Sequence, residues 1–253
     1  MKSITICSAF YENAGMLKRQ IEHFQKLPKN IREHLNLIVV DDGTGAPKAR
    51  PDGSLIAGAR ASSAAPALPC DIGFPFDVYR MKLDIRWNQD ACRNLAVSRA
   101  ITEWILLIDI DHIVPEETLR ALITEVHSTD SVYLFARQVV LPNGQLETFR
   151  PAPNLFFLTR QLYWRVGGYD EFLRGKYGTD GDMRRRLFAA SPPIYLPQQL
   201  HFVTPRIIPD ACTTSYSRKN PDLDGDLQEI IEKRNQTPEW KPLHFRTEWE
   251  KVG

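Results

Sequence analysis

Two acidic side chains and a histidine follow one another at the end of an apolar run. The stretch LLIDIDHIVP, residues 106–115, places Asp109 and Asp111 one residue apart, with His112 directly after them. Carboxylate oxygens are the usual ligands of Mg²⁺ and Mn²⁺, ions that proteins commonly share with the phosphates of a ligand. The stretch is therefore consistent with a divalent cation beside a phosphorylated ligand, although acids also end strands as turn formers or helix caps.

Polar residues also follow two earlier apolar runs. Ser8 to Glu12 come at the end of ITICSAF, and Asp41 and Asp42 follow LIVV. In an open parallel sheet, ligands bind outside the carboxyl ends of the strands. We therefore expect these residues to meet the 109–112 stretch at one rim of a sheet.

Alternating strand and helix patterns would position these groups. Short apolar runs predict buried strands, and apolar residues at spacings of three and four predict amphipathic helices. The predicted strands include 3–10, 35–40, 76–83 and 103–108, and the predicted helices include 88–102 and 115–127. This alternation indicates an α/β fold with a mostly parallel central sheet flanked by helices. Residues 44–76 are rich in Gly, Pro, Ala and Ser without a clear period, which predicts a long inserted loop.

The composition points to no special class. Lys plus Arg number 32 and Asp plus Glu number 31, a balance that does not by itself indicate a nucleic-acid or membrane partner. The sequence has no apolar run long enough for a transmembrane segment and no signal-peptide pattern. The four cysteines, among them Cys70, lack metal-site spacing. We expect reduced thiols in a cytoplasmic protein.

Six stretches in order resemble the family-2-type glycosyltransferases of the GT-A fold. They are ITICSAFYEN, LIVVDDGT, the helix with Arg93-Asn94, ILLIDIDHIVP, VGGYDEF and YGTDGDMRRRL. The resemblance spans roughly residues 3 to 203, and the region from GGYDE to TDGD also resembles the C-terminal part of the galactosyltransferases. The 44–76 insert is not typical of the family. A single GT-A domain is implied, with a nucleotide-sugar-binding half (1–128), an acceptor and catalytic half (129–205) and a C-terminal extension (206–253) that packs back on the core.

The resemblance implies a donor site for a nucleotide-sugar, with UDP expected as the nucleotide. Asp111 would be the main ligand of Mn²⁺ or Mg²⁺, Asp109 would contact the ion or the ribose, and His201 would complete the metal shell. His244 is a weaker alternative to His201, and His112 is expected to be a neighbour rather than a ligand. The resemblance also implies that Ser8, Phe10 and Glu12 surround the base and ribose. Asp42 would bind uracil with support from Asp41. Arg93 would lie at the diphosphate or the DDGT loop, and Gly168 would lie beneath the sugar.

The catalytic base implied by the resemblance is Asp180. The family usually has Glu-Asp at this point, whereas this chain has Thr179-Asp180, which puts acceptor binding in question more than the base. Asp182 could share the task or cap the following helix. A base opposite the leaving group would favour inversion of configuration.

The acceptor side leaves more open. Arg184 to Arg186 read either as a solvated helix face or as a site for an anionic acceptor. Three aromatic residues, Trp87, Tyr177 and Trp164, could stack on sugars or lie in the core. The acceptor itself could be a glycan, a lipid-linked glycan, a protein or a modified nucleic acid.

Two alternatives to glycosyl transfer stay open. A nucleotidyltransferase would use a similar nucleotide-binding sheet, but that class normally has a basic, Gly-rich phosphate loop after the first strand. SAFYENAG has no Lys or Arg and one Gly, which argues against it. A catalytically silent module of the same fold is the other alternative, and the intact acids argue against that.

Overall fold

The computed structural model of the chain describes residues 1–60, 72–125, 127–149, 154–212, 226–237 and 239–252. The middle of the predicted insert, which includes Cys70, and residues 213–225 lie outside these ranges. Cys7, Cys92 and Cys212 are free and buried. Among the described residues, no helix combines the length and the apolar character that a membrane span requires.

The chain alternates strands and helices through its first half, as predicted. The strands are β1 (Ile4–Phe10), β2 (Leu35–Asp41), β3 (Lys48–Ala49), β4 (Phe76–Met81), β5 (Asp84–Ile85), β6 (Trp104–Asp109), β7 (His112–Ile113), β8 (Val132–Val140), β9 (Leu146–Phe149), β10 (Phe156–Thr159), β11 (Pro193–Phe202) and β12 (Trp249–Lys251). The helices are α1 (Ala14–Lys26), α2 (Lys29–Arg32), α3 (Gln89–Arg99), α4 (Glu116–Thr124), α5 (Arg160–Arg165), α6 (Asp180–Ala190) and α7 (Leu227–Asn235), with a 3₁₀ turn at Glu171–Leu173.

A ten-stranded sheet forms the middle layer, in the order β12-β4-β2-β1-β6-β10-β8-β11-β7, with β9 paired to β8. The neighbours β4, β2, β1 and β6 are parallel to one another. Antiparallel pairs occur on both sides of this block, at β12 with β4 and at β10 with β6. The chain leaves β1 towards β2 on one side and later adds β6 on the other. The carboxyl ends of β1 and β6 therefore flank the switch point where such sheets bind ligands.

Two apolar cores lie on opposite faces of this sheet, because side chains of a strand alternate between its faces. In β6, Leu106 and Ile108 belong to one core and Ile105 and Leu107 to the other. Helices α1 and α4 cover the first face, and α3, α5 and α6 cover the second. A strand apolar on both faces is what a sheet covered by helices on both sides requires. The predicted α/β class is confirmed.

The described part of the 44–76 insert is more ordered than the sequence predicts. It contains β3, which pairs in parallel with β5 in a second, two-stranded sheet. A two-residue strand is too short to show a period in the sequence, which explains why it was not predicted. At its start, Gly43 has φ +82°, and a Cβ there would lie 2.6 Å from the carbonyl oxygen of Leu83. The DDG turn therefore requires glycine.

Two buried acids attach the C-terminal segment to the domain. Asp170 accepts hydrogen bonds from the indole of Trp240 and the amide of Leu243, at 2.9 Å each. Glu171 accepts from the amides of Phe245 and Arg246, at 2.8 Å each. The segment then continues into β12 on the edge of the main sheet. The Asp-Glu pair of VGGYDEF thus anchors residues 240–246 to the domain.

Candidate active site

A cavity of about 320 Å³ lies at the carboxyl ends of β1, β2 and β6. Five residues predicted from the sequence line it: Phe10, Asp42, Asp109, Asp111 and Asp180. They come from four separate parts of the chain, and the parallel strands bring their ends to one rim as expected. The sheet topology therefore assembles the predicted donor and catalytic acids into one site.

The acids after β6 form a compact cluster with the adjacent histidine. Ligand atoms of Asp109, Asp111 and His112 all lie within 4.8 Å of one another. The Oδ1 atom of Asp111 lies 2.7 Å from Nδ1 of His112. Neither this oxygen nor either ring nitrogen of His112 has a hydrogen-bond partner among the described residues, although all three atoms are buried. Buried polar atoms in native proteins are nearly always satisfied, so this set suits a bound cation. Two carboxylates and an imidazole fit Mn²⁺ well.

The backbone of the cluster is held by helix α1. The side-chain amide of Gln20 donates to the carbonyl oxygens of Ile110 and His112, at 2.9 and 2.6 Å. The thiol of Cys212 lies 3.3 Å from Oδ2 of Asp111, within the range of a weak sulfur hydrogen bond. These contacts orient the loop after β6, as the groups around a metal ligand commonly do.

Arg93, on helix α3, connects Asp109 and Asp180 behind the cavity wall. Its guanidinium is 1% exposed and contacts Asp109 at 2.5 Å and also Asp180. Its Nη1 donates to the hydroxyl of Tyr169 at 2.5 Å, and that hydroxyl donates to Oδ1 of Asp180 at 2.9 Å. The sequence led us to expect Arg93 at the diphosphate or the DDGT loop. The structure instead places it between the two acids, where a forked cation binds both.

The two carboxylate oxygens of Asp180 have different surroundings. Both Arg93 and Tyr169 engage Oδ1, and no hydrogen bond to Oδ2 occurs within the described chain. The side chain is 17% exposed, so Oδ2 is accessible from the cavity. A carboxylate held by one oxygen has a defined orientation, which a general base requires.

Thr179, the residue before Asp180, is held by a buried acid that we did not predict. The hydroxyl of Thr179 donates to Oδ1 of Asp90 at 2.7 Å. Burial raises the pKa of Asp90 well above its ordinary value, and the nearby negative charge of Asp180 adds to this, although the bond from Thr179 opposes it. Burial thus shifts Asp90 towards its protonated form. Thr179, at the position where the family resembled in sequence has Glu, is therefore part of a buried contact.

At the other end of the cavity, the two acids of DDGT have different environments. Asp42 lines the cavity, and its Oδ2 accepts the amide of Asn88 at 3.2 Å. Asp41 faces away: it accepts the amide of Thr44 and Nε of Arg80, both at 2.9 Å. Burial raises the pKa of Asp41, opposed by the bonds from Thr44 and Arg80. Asp41 shapes the turn, and Asp42 is the acid placed to meet a ligand.

Several predicted site residues lie outside the cavity lining. Ser8 and Gly168 are buried in the packing, and Glu12 has φ +53° at a turn beside Thr44. His201 lies in β11, on the face opposite its neighbour Phe202, which does line the cavity. Burial lowers the pKa of His201, opposed by the charge of Glu117. His244 contacts the carbonyl oxygen of Gly167. The structure brings neither of these two histidines to the Asp109–Asp111 cluster.

Three other residues of the site were not predicted from the sequence. The side-chain amide of Gln89 donates to Asp109 at 2.9 Å, and that of Asn154 donates to the other oxygen of the same acid. Gln89 precedes Arg93 by four residues on α3, so the helical spacing could have indicated their common face. Arg137 lies with its guanidinium 5.0 Å from the ring centre of Phe202, which in turn lies beside His112. Nothing local to residues 137 or 154 could have revealed these positions.

The Gly-Gly turn and the basic run of helix α6 form one structural unit. At Gly168, φ is +57° and a Cβ would lie 2.8 Å from Oδ1 of Asn94. Arg186 donates to the carbonyl oxygens of Val166 and Gly168, at 2.5 and 2.7 Å, and it also binds Asp182. Arg185 and Arg234 bind the same carboxylate, at 3.0 and 2.7 Å. Asp182 is therefore a buried carboxylate that forms ion pairs with three arginines, and two of them belong to the basic run.

Substitution of Asp182 by Asn is expected to destabilise the fold by about 3 kcal/mol, because buried arginines would lose their counter-ion. Burial opposes the charge of Asp182, but Arg186, Arg234 and Arg185 outweigh it and lower its pKa. The stabilisation is thus present above the unfolded pKa of about 3.9 and lost as pH falls through the lower folded value. Urea unfolding of both proteins near neutral pH and near pH 3 measures this, and the difference should shrink in acid.

The matched control for that measurement is Asp130→Asn. Asp130 pairs with Arg165 on the surface, where its side chain is 74% exposed. Exposed pairs contribute little, so a change within about 0.5 kcal/mol is expected. Equal losses in the two variants would contradict the role assigned to Asp182.

Solved structures share this fold. The chain superposes on S. aureus TarS 1–349 with a TM-score of 0.53 at 15% identity, over 90% of this chain and 69% of that one. For TarS in complex with UDP-GlcNAc the TM-score is 0.59 at 14% identity, over 94% and 68%. For GalNAc-T7 with UDP, GalNAc and Mn²⁺ it is 0.58 at 11% identity, over 93% and 55%. No protein-family model and no curated protein matches the chain. At these identities the likeness establishes the GT-A fold.

Proposed function

We propose that this chain is a glycosyltransferase that moves a sugar from a UDP-sugar to an acceptor hydroxyl, with a divalent cation and with inversion. The observation that supports this most is the single cavity that joins Asp42, the Asp109–His112 cluster and Asp180. The complexes of TarS with UDP-GlcNAc and of GalNAc-T7 with UDP and Mn²⁺ support the same donor class.

The uridine would lie at the β1–β2 end of the cavity. The Asp42 carboxylate would accept the ring N–H of uracil, a charge-assisted bond that cytosine cannot offer at the same position. Phe10 supplies an apolar wall at this end. Ser8, which is buried in β1, and Glu12, at the turn after that strand, stay part of the proposed donor region.

The diphosphate would lie beside the acids and histidine after β6. Asp111 and His112 would hold a divalent cation, with Asp109 as a further ligand or as a partner of the ribose. When bound, that cation neutralises the charge of the leaving nucleotide. Arg137 adds the one Lys or Arg side chain found among the described cavity-lining residues. Its position at the same end suits the diphosphate.

The transfer step would be a single displacement. Oδ2 of Asp180 would accept the proton of the acceptor hydroxyl as that oxygen forms its bond to the anomeric carbon. The bond from that carbon to the diphosphate oxygen breaks, and its electron pair leaves with UDP. Arg93 and Tyr169 hold the base in place through Oδ1. Attack from the side opposite the leaving group would invert the anomeric configuration.

Thermal unfolding with ligands tests the donor site. UDP with Mn²⁺, at about 100 times the dissociation constant, should raise the Tm by roughly 5 to 10 °C, because only the folded state binds them. UDP with EDTA should give a much smaller rise, since the acid cluster would repel the diphosphate. CDP with Mn²⁺ is the matched control for the uracil contact. No rise with any nucleoside diphosphate and metal would contradict the proposal, and release of pyrophosphate from a nucleoside triphosphate would favour a nucleotidyltransferase.

A further inference from the structure

Two aromatic side chains form a corner in the cavity wall. The rings of Trp87 and Tyr177 lie 4.7 Å apart between centres and are inclined by 68°. Both side chains line the cavity, and Tyr177 is 36% exposed. They come from loops far apart in sequence, one before α3 and the other before α6. Buried aromatic pairs are ordinary core features, but a half-exposed pair facing a polar cavity is not needed to fill a core.

The backbone at Trp87 is held in an unfavourable conformation. Its φ is +58°, in the left-handed region that bulky residues avoid. The carbonyl oxygen of Trp87 accepts the amide of Gly175 at 3.0 Å, and the next residue, Asn88, donates its amide to Asp42 at 3.2 Å. Strain of this kind persists where the surrounding structure holds it, and it concentrates at ligand sites. Here it turns the indole towards the cavity.

The corner lies on the base side of the cavity. Tyr177 precedes Asp180 by three residues, and both line the same wall. Arg137 lies beside Phe202, whose ring centre is 5.1 Å from that of His112. A ligand on the aromatic corner would share the cavity with Asp180, whose Oδ2 is engaged by neither Arg93 nor Tyr169.

The charge of this wall favours a neutral ligand. The described part of the cavity lining has four carboxylates, from Asp42, Asp109, Asp111 and Asp180, and one arginine, Arg137. Arg93 is 1% exposed and already binds two of these acids. A phosphorylated acceptor would meet repulsion at the base, whereas a sugar offers neutral hydroxyls and an apolar face of C–H groups that packs on aromatic rings.

We propose that the Trp87–Tyr177 corner is the acceptor subsite and that the acceptor is a neutral saccharide, whose ring packs on these side chains while one hydroxyl reaches Asp180. This inference rests on the proposed glycosyl transfer and specifies its acceptor class.

The donor for the test is the one that the enzyme hydrolyses fastest among UDP-glucose, UDP-galactose, UDP-GlcNAc and UDP-GalNAc. The test then measures UDP release from this donor with Mn²⁺, in the presence of cellotetraose, chitotetraose, maltotetraose or mannotetraose. At least one saccharide should stimulate release. Trp87→Ala and Tyr177→Ala should each raise the KM for that saccharide by about tenfold, the size expected of one lost aromatic contact. Trp87→Phe should bring the KM for the saccharide back close to the wild-type value. The Tm rise with UDP and Mn²⁺ should match that of the wild type.

Tyr195→Ala is the matched control, because Tyr195 is 62% exposed on β11 and does not line the cavity. Its KM for the saccharide should not change. Failure of every saccharide to stimulate an enzyme that binds UDP and Mn²⁺ would overturn the acceptor proposal, as would stimulation by peptides or nucleic acid alone. Equal KM values for Trp87→Ala and Tyr195→Ala would do the same. Absence of the Tm rise in the wild type would instead refute the proposed function itself.

Discussion

Asp111→Asn is expected to lower the rate of sugar transfer by at least about 10³-fold, because it removes the charge that would hold the cation on the leaving diphosphate. Asp111 has an oxygen without a hydrogen bond in the described chain, 2.7 Å from a ring nitrogen of His112. The same substitution should abolish the part of the Tm rise with UDP that depends on Mn²⁺. Rates of UDP release across a Mn²⁺ titration, together with thermal unfolding, measure both effects.

Two histidine variants provide the control for this result. His112→Ala should raise the Mn²⁺ concentration needed for half-maximal activity by about tenfold or more, the usual effect of losing one metal contact. His201→Ala should leave this Mn²⁺ concentration unchanged, since the side chain of His201 lies near Glu117 and not in the Asp109–His112 cluster. The opposite order of effects would restore His201 as the metal ligand and would assign His112 a purely structural role.

Asp180→Asn is expected to lower transfer by about 10²- to 10⁴-fold while UDP and Mn²⁺ still raise the Tm as in the wild type. The amide keeps the shape of the carboxylate and can still accept a bond from Tyr169, but it cannot take the proton of the acceptor. The split between lost turnover and retained donor binding identifies a base rather than a donor contact. Initial rates with donor and acceptor, and thermal unfolding with UDP, give the two readouts.

Asp90→Asn is the matched control for the base. Asp90 is a buried acid on the adjacent helix, it accepts the hydroxyl of Thr179, and burial raises its pKa so that it favours the neutral form. An asparagine there preserves the acceptor oxygen and changes little charge. Transfer should stay within a few-fold of the wild type. Normal transfer by Asp180→Asn, or an equal loss in both variants, would show that the base is elsewhere.

Much of the architecture could be predicted because its signals are local. Runs such as LLID and LIVV are apolar on both faces, and only a sheet covered on both sides accommodates them. Their order with the intervening helices implies parallel strands, and parallel strands bring their carboxyl ends to one rim. The confirmed α/β class, and the meeting of Asp42, Asp109, Asp111 and Asp180 in one cavity, follow from these facts. Their chemical roles stay predictions until the variants are measured.

Which side chains lie next to the acids at that rim depends on long-range contacts, and no local sequence pattern encodes these. The choice between His112 and His201 illustrates this: β7 and β11 pair His112 with Phe202, so alternation along the strand turns His201 to the opposite face. A register different by one residue would have placed His201 opposite His112, and the sequence does not specify the register of a two-residue strand.

The same limit applies to the charges. From the sequence, Arg93 could have reached the diphosphate, Asp41 could have supported uracil, and Asp182 could have shared the role of base. In the fold, Arg93 binds Asp109 and Asp180, Asp41 binds Arg80, and Asp182 binds three arginines. The sequence by itself determined which acids stand at strand ends, because strands and their ends are local. The tertiary structure alone decided which acids are neutralised and which face the cavity, because a charge is paired by whatever the fold brings within about 3 Å.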